Sequence, residues 1–174
     1  MSTNAMIYKK MQDNSVKGIY LHWDGYPSWA GDKLINHYTT EDKVQRLIEL
    51  GAISVLGNNP EPCELVRRFG FNGTTYPHDD AKAKSDYLPK EWRDMSESER
   101  KRLSDDYYRY EGTVAYARDR GEEPEWDTYP SVAELKKTTA NQAYEYYWDG
   151  EAWYMRQNKV FRKLTQNTCD RLQD

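Results

Sequence analysis

The stretch AYEYYWDGEAWYMR, residues 143–156, constrains the chain more than any other. An Asp-Gly pair between two aromatic runs is the strongest short-range signal for a β-hairpin, because a type I′ turn needs positive φ at both central residues. A two-residue turn at Asp149-Gly150 sets Trp148 against Glu151, Tyr146 against Trp153 and Tyr144 against Met155. Side chains alternate across a strand, so these six share one face, which is expected to pack on helices, with Tyr147 and Tyr154 on the other.

A second aromatic strand stands near the start. Met6 to Met11 alternates weakly, Gln12 to Ser15 supplies turn residues, and Gly18 to Asp24 alternates cleanly, which reads as a hairpin. In GIYLHWDGYP (18–27) the period of two puts Ile19, Leu21 and Trp23 on a buried face and Tyr20, His22 and Asp24 on the other. Gly25 and Pro27 then break the strand and leave Tyr26 at the same rim. Ser28 to Tyr38 reads as a helix with Leu34, Ile35 and Tyr38 inward. Thr39 or Thr40 caps the next, which buries Val44, Leu47 and Ile48 and stops at Gly51.

Between Leu56 and Asp80 the Gly, Asn and Pro content rises, so loops are expected there, with one short helix at about Pro62 to Phe69. Capping boxes at Ser96-x-x-Glu99 and Ser131-x-x-Glu134 open two further helices. The first runs toward Tyr110, with Trp92, Leu103, Tyr107 and Tyr110 available for burial, and ends by Gly112. Thr113 to Asp119 alternates and reads as one middle strand. The sum is an α+β domain with a mostly antiparallel sheet of about five strands packed against several helices. At 174 residues one domain suffices, with a loop-rich, helical and acidic insertion at about 71–110 and a basic C-terminal tail at about 156–174.

Mean hydropathy is low, −1.07. The 24 aromatic residues (15 Tyr, 6 Trp, 3 Phe) nevertheless argue for a packed, aromatic core over disorder. Net charge is −4, and Asp79 to Glu134 carries 16 acidic residues against 10 basic, which disfavours a nucleic-acid partner. Cys63 and Cys169 stand in no metal or redox spacing and no run has the length of a membrane segment, so a cytoplasmic setting in a host cell is expected.

No nucleotide-binding glycine pattern is present, and no cofactor is implied. His22 and Asp24 at i and i+2 could form half of an acid–base pair, yet no serine or cysteine is placed as their nucleophile. The structural alternative is a strand end held by Asp24 through backbone hydrogen bonds. His22, His37 and His78 with Asp79 or Asp80 match no metal spacing, so no metal site is assigned. Arg118 and Arg120 flank a strand end where two guanidinium groups could grip a small anionic ligand, or simply form a charged turn. The tyrosines of Tyr107-Tyr108-x-Tyr110 could stack bases, but helical spacing favours a core role.

Three segments resemble a family of small accessory proteins encoded by phages, plasmids and other mobile elements. They are IYLHWDGYP (19–27), matching the form I-Y-x-H-W-D-G-Y-P; His37-Tyr38 with LGAISVLG (50–57); and TVAYARDRGE (113–122), matching T-V-A-Y-x-R-D-R-G-E. They cover about a third of the chain. In the family a histidine commonly follows T-V-A-Y where this chain has Ala117, so a role for that histidine does not transfer. The resemblance implies an accessory protein that interferes with host processes or host defence. Together with the aromatic surplus it favours a non-enzymatic protein that binds a host protein or small signalling ligand through Tyr20, His22, Asp24, Tyr26, Arg118 and Arg120. The alternatives are a small hydrolase or transferase on a nucleotide or phosphorylated substrate, with His22 and Asp24 as the acid–base pair, and a structural component of a phage particle.

Overall fold

A computed structural model describes residues 3–139 and 141–172. β1 (Ala5–Lys10) and β2 (Val16–Leu21) form the first hairpin, in register from Ala5 opposite Leu21 to Lys10 opposite Val16. Opposite Tyr8 in that ladder stands Gly18, whose hydrogen leaves room for the phenol; a Cβ there would run into the Tyr8 ring. A wide turn at Pro27–Gly31 leads into α1 (Asp32–His37), so the expected helix is tight only in its second half. Thr40 accepts the Lys43 N–H and caps α2 (Glu41–Ile48), which buries Val44, Leu47 and Ile48; Gly51 then takes φ +71. β3 (Ile53–Val55) follows, parallel to β2, so β2, the two helices and β3 make a crossover unit.

The next residues build a helical layer: α3 (Glu64–Phe69), a 3₁₀ turn at Phe71–Thr75, α4 (Asp80–Ala83), α5 (Lys90–Asp94) and α6 (Glu97–Tyr108), capped by Ser96. It has its own apolar cluster of Leu65, Ala83, Trp92 and Leu103. The fully buried Arg100 pairs with Asp80 and donates to the Met95 carbonyl, which ties α4, α5 and α6 together. β4 (Val114–Ala115) returns to the sheet beside β3, and α7 (Tyr116–Arg120), β5 (Asp127–Tyr129) and α8 (Val132–Lys137) follow. The chain closes with β6 (Tyr144–Trp148), β7 (Trp153–Gln157), β8 (Val160–Lys163) and α9 (Gln166–Arg171).

The sheet therefore differs from the expected one. Among the described residues it has eight strands, ordered β4-β3-β2-β1-β6-β7-β8 with β5 on the free half of β2, and it is mixed: β1 runs parallel to β6, and β2 to β3. The parallel pairs join segments far apart in sequence, which local alternation cannot reveal. The expected basic tail supplies the end of β7, all of β8 and α9, whose Cys169 is buried.

One face of the sheet presents Ile7, Ile19, Leu21, Ile53, Tyr146, Trp148, Trp153 and Met155 to Leu34, Val44, Leu47, Ile48 and Cys169 from the helices. The other face packs Met6, Tyr8, Val16 and Tyr147 under Leu135 of α8. Two ion pairs are drawn into these layers. Lys9 pairs with Glu41, and Arg156 Nε lies 2.7 Å from Glu145 Oε2 while its terminal nitrogens donate to the Thr138 and Leu135 carbonyls.

The last hairpin pairs Trp148 with Trp153 and Tyr146 with Met155, two residues away from the expected register. The loop has four residues: Asp149 accepts the Glu151 and Ala152 N–H groups, and only Gly150 takes positive φ. A slip of two preserves the face of every side chain, which is why Tyr146, Trp148, Trp153 and Met155 still reach the core as expected.

Candidate functional site

Regular pairing of β2 stops at Leu21, at the open end of the parallel pair with β3. The next two N–H groups, of His22 and Trp23, both bond to β3, to Ile53 O at 3.1 Å and Ser54 O at 3.0 Å. In a flat strand successive groups point to opposite sides, so two in a row toward one neighbour mean that the chain rotates here. Asp24 completes the rotation at φ +56. Trp23 is thereby turned out of the core and left 46% exposed, against the expectation that it would be buried with Ile19 and Leu21.

Gly25 anchors the turn from behind. Its N–H bonds to Thr3 O, its carbonyl accepts the buried Tyr146 hydroxyl at 2.7 Å, and a Cβ would collide with the start of β1. Tyr26 stands at the N-terminal boundary of the wide turn, its carbonyl accepting from Trp29 and Ala30.

The six residues expected to form one rim fall into separate groups. The Tyr20 hydroxyl lies 3.0 Å from His22 Nδ1, so the neighbour bonded to that imidazole is a tyrosine two residues upstream, and the His22 ring meets the Trp23 ring edge-on at 4.7 Å. Arg118 braces backbone: it donates to the Pro60 and Thr113 carbonyls at 2.7 Å each and pairs with Asp119. Arg120 lies 4.7 Å from the Phe71 and Tyr116 ring centres and pairs with Glu122. The strand read at Thr113 to Asp119 is two residues of β4 followed by α7, because the Asp119 carboxylate reaches back to the Ala115 N–H and Gly121 ends the helix at φ +76. That change of element carries the two arginines apart.

What the rim faces instead is the end of α6. A cleft of about 350 Å³ lies between Trp23, Asp24, Ser54, Val55 and Val114 on the sheet side and Phe71, Thr74, Thr75, Tyr107, Tyr108 and Tyr110 on the helical side. The three tyrosines contact one another with ring centres 5.2 to 6.4 Å apart, and Tyr108 is 58% exposed. Burial and its tyrosine neighbours push the Tyr107 hydroxyl up to about 12.

Their position is fixed by the loop after β3. Asn58 and Asn59 N–H groups bond to the Tyr110 and Glu111 carbonyls, and Thr113 Oγ1 bridges Gly57 N and Asn59 O. Gly57 and Gly112 allow the two backbones to touch, since a Cβ on Gly57 would fall on the Gly112 peptide. Trp29 packs edge-on against Tyr110 at 4.7 Å, with the buried Lys33 ammonium over the indole.

The sequence treated Tyr107 and Tyr110 as core and did not single out Phe71. One signal was present: adjacent Tyr107 and Tyr108 stand 100° apart on a helix and cannot both join one narrow buried stripe.

No protein-family model matches the chain, and no curated protein and no solved structure matches it. Among the described residues no helix is long and apolar enough to cross a membrane, and no three His, Cys, Asp or Glu side chains gather as a metal site would require. Burial raises both thiols above the usual cysteine value, Cys169 to about 11, so neither is poised as a nucleophile.

Proposed function

We propose that this chain is a non-enzymatic accessory protein of a phage or other mobile element, which binds a host protein through the aromatic cleft at the open end of β2 and β3 and so interferes with a host process such as defence. The observation that carries the reading is the exposure of Trp23 and Tyr108, 46% and 58%, on opposite walls of one cleft. Large aromatic groups left in water at a concave surface are the groups that anchor protein interfaces. The mobile-element part rests on the IYLHWDGYP and TVAYARDRGE resemblance. The first of these motifs contains both the turn that exposes Trp23 and the Gly25 that anchors it.

A photo-reactive benzoylphenylalanine placed at position 108, with a second at exposed Val160 on the far edge strand β8, tests the surface in cells of the host. The reading expects a covalent adduct with a host protein from position 108 and none from position 160. Adducts from 160 alone would move the interface to the other edge of the sheet.

The Tyr20–His22 hydrogen bond supports a second reading, in which His22 is the general base of a small hydrolase or transferase acting on a phosphorylated or nucleotide substrate. Turnover of a nucleotide panel that disappears in a folded His22→Ala variant would favour it over the first.

A further inference from the structure

We infer that the cavity between the end of α8 and the turn joining β7 to β8 binds a small sugar phosphate, with the phosphate on Lys136 and Lys159 and a sugar hydroxyl donating to Glu145. The site shares no residue with the aromatic cleft and is a second surface of the protein, beyond the partner-binding reading.

The cavity measures about 460 Å³, inside the range of about 300–1,000 Å³ usual for small-molecule sites. Its floor is the buried pair of Arg156 and Glu145, whose side chains are 6% and 3% exposed. Arg156 Nε and Glu145 Oε2 lie 2.7 Å apart, yet the N–H is not directed at the oxygen. The contact is therefore ionic, and among the described residues neither atom makes a hydrogen bond. Tyr8 donates to the other carboxylate oxygen, and the terminal nitrogens of Arg156 are taken by the Thr138 and Leu135 carbonyls. Buried polar atoms without partners are rare, because each forfeits its bond to water. Glu145 Oε2 is an acceptor at the base of the cavity that a ligand hydroxyl would satisfy.

The walls carry cations. Lys136, Lys137 and Lys159 line the cavity, and among the described lining residues Glu145, already matched by Arg156, is the one acid. Lys136 and Lys159 have no ion-pair partner among the described residues. Lys137 is held by Glu134 in an exposed pair three residues apart on the helix, a kind that contributes little and is easily given up. Excess positive charge around a polar cavity selects an anion, and the compact ammonium is a common partner of phosphate.

Lys159 is placed there at some cost to the hairpin. The two-residue turn between Gln157 and Val160 has φ +48 at Asn158 and φ +70 at Lys159. Asparagine tolerates such angles, whereas the second position of this turn favours glycine and a long side chain is strained in it. The turn gives up stability to hold an ammonium against the cavity.

The remaining groups select the body of the ligand. Gln142 and Asn158 offer side-chain amides and Thr138 and Thr139 offer hydroxyls, which match the hydroxyls of a sugar. The one aromatic residue among the described lining, Tyr144, packs against the core on the opposite face of the sheet, so a nucleotide base finds no ring to stack on.

Isothermal titration calorimetry of the full chain with glucose 6-phosphate, fructose 6-phosphate and ribose 5-phosphate tests this, beside the matching free sugars, inorganic phosphate and ATP. The inference expects saturable binding of at least one sugar phosphate, with its free sugar, inorganic phosphate and ATP each weaker by about tenfold or more. Lys136→Gln should weaken the sugar phosphate by about fivefold or more, and Lys163→Gln, on the exposed edge strand outside the cavity, should leave it unchanged. Lys159→Gly should weaken it as Lys136→Gln does, with a melting temperature equal to or above that of the parent, because glycine relieves the turn.

Inorganic phosphate binding as tightly as the best sugar phosphate would make the cavity a simple anion site, and tighter ATP would make it a nucleotide site. Either result overturns the inference. So do equal losses in Lys136→Gln and Lys163→Gln, unchanged affinity in Lys159→Gly, or no binding by any of the three sugar phosphates.

Discussion

Trp23 and Trp153 are both indoles at the sheet, and truncation will separate them. Trp153 is buried against the helices and donates its Nε1–H to the Tyr38 carbonyl at 2.8 Å, so Trp153→Ala is expected to cost about 3–5 kcal/mol in urea unfolding. Trp23 has the edge of His22 as its ring neighbour and stands half in water, so Trp23→Ala is expected to cost less than about 1 kcal/mol. A cost for Trp23 as large as that for Trp153 would mean that the rotation at His22-Trp23 is absent. Sequence alternation made the two residues look alike. What distinguishes them is a pair of backbone hydrogen bonds to Ile53 and Ser54, and the partner strand that accepts them begins thirty residues after Trp23 in the sequence.

At the level of elements, the closing hairpin depends on a loop whose conformation is set by two residues. Gly150→Val places a β-branched residue at φ +104 and is expected to destabilise the domain by more than about 1 kcal/mol, which thermal unfolding would register. Beside it, Asp149 is held below the usual carboxylate value: burial works against ionisation, but the N–H groups of Ala152 and Glu151 outweigh it. A carboxyl with a depressed pKa in the folded state stabilises the fold above its unfolded value, near 3.8, and loses that contribution as pH falls through the folded value. Asp149→Asn keeps an acceptor but no titration, so its melting temperature should fall less steeply than that of the parent between pH 5 and the acid limit, about pH 2. Parallel acid limbs for the two proteins would remove Asp149 as a cause.

In the opening hairpin, Gly18→Ala drives a methyl group into the Tyr8 ring and should cost about 1–3 kcal/mol. Elements of this kind were the legible part of the chain. The caps at Thr40, Ser96 and Ser131 lie where a hydroxyl three residues before a free N–H says they should, because capping is local chemistry. α7 was missed because its alternating letters suit a strand, while the Asp119 bond to Ala115 that turns them into a helix also involves Arg118 and the Pro60 carbonyl.

For the molecule as a whole, the arrangement that matters is a sheet end and a helical layer brought together across a narrow cleft. The pairing of Ala5–Lys9 with Tyr144–Trp148 closes the sheet across almost the entire chain, and nothing in either segment announces a parallel partner, so a hairpin-by-hairpin reading arrives at a mostly antiparallel sheet. The cleft was hidden for the same reason: its two walls, Trp23-Asp24 and Tyr107 to Tyr110, meet through the Asn58 and Asn59 bonds to the end of α6. The sequence did carry the motif that builds one wall, and it carried the tyrosine run that builds the other.

The central claim is that these walls are the binding surface. The most direct test is the dissociation constant for the cross-linked host protein, once purified, measured for the parent and for Trp23→Ala beside their melting temperatures. The account expects Trp23→Ala to bind at least about thirtyfold more weakly, the effect of losing one interface anchor of about 2 kcal/mol, with a melting temperature close to that of the parent. An unchanged dissociation constant in a folded Trp23→Ala would contradict it.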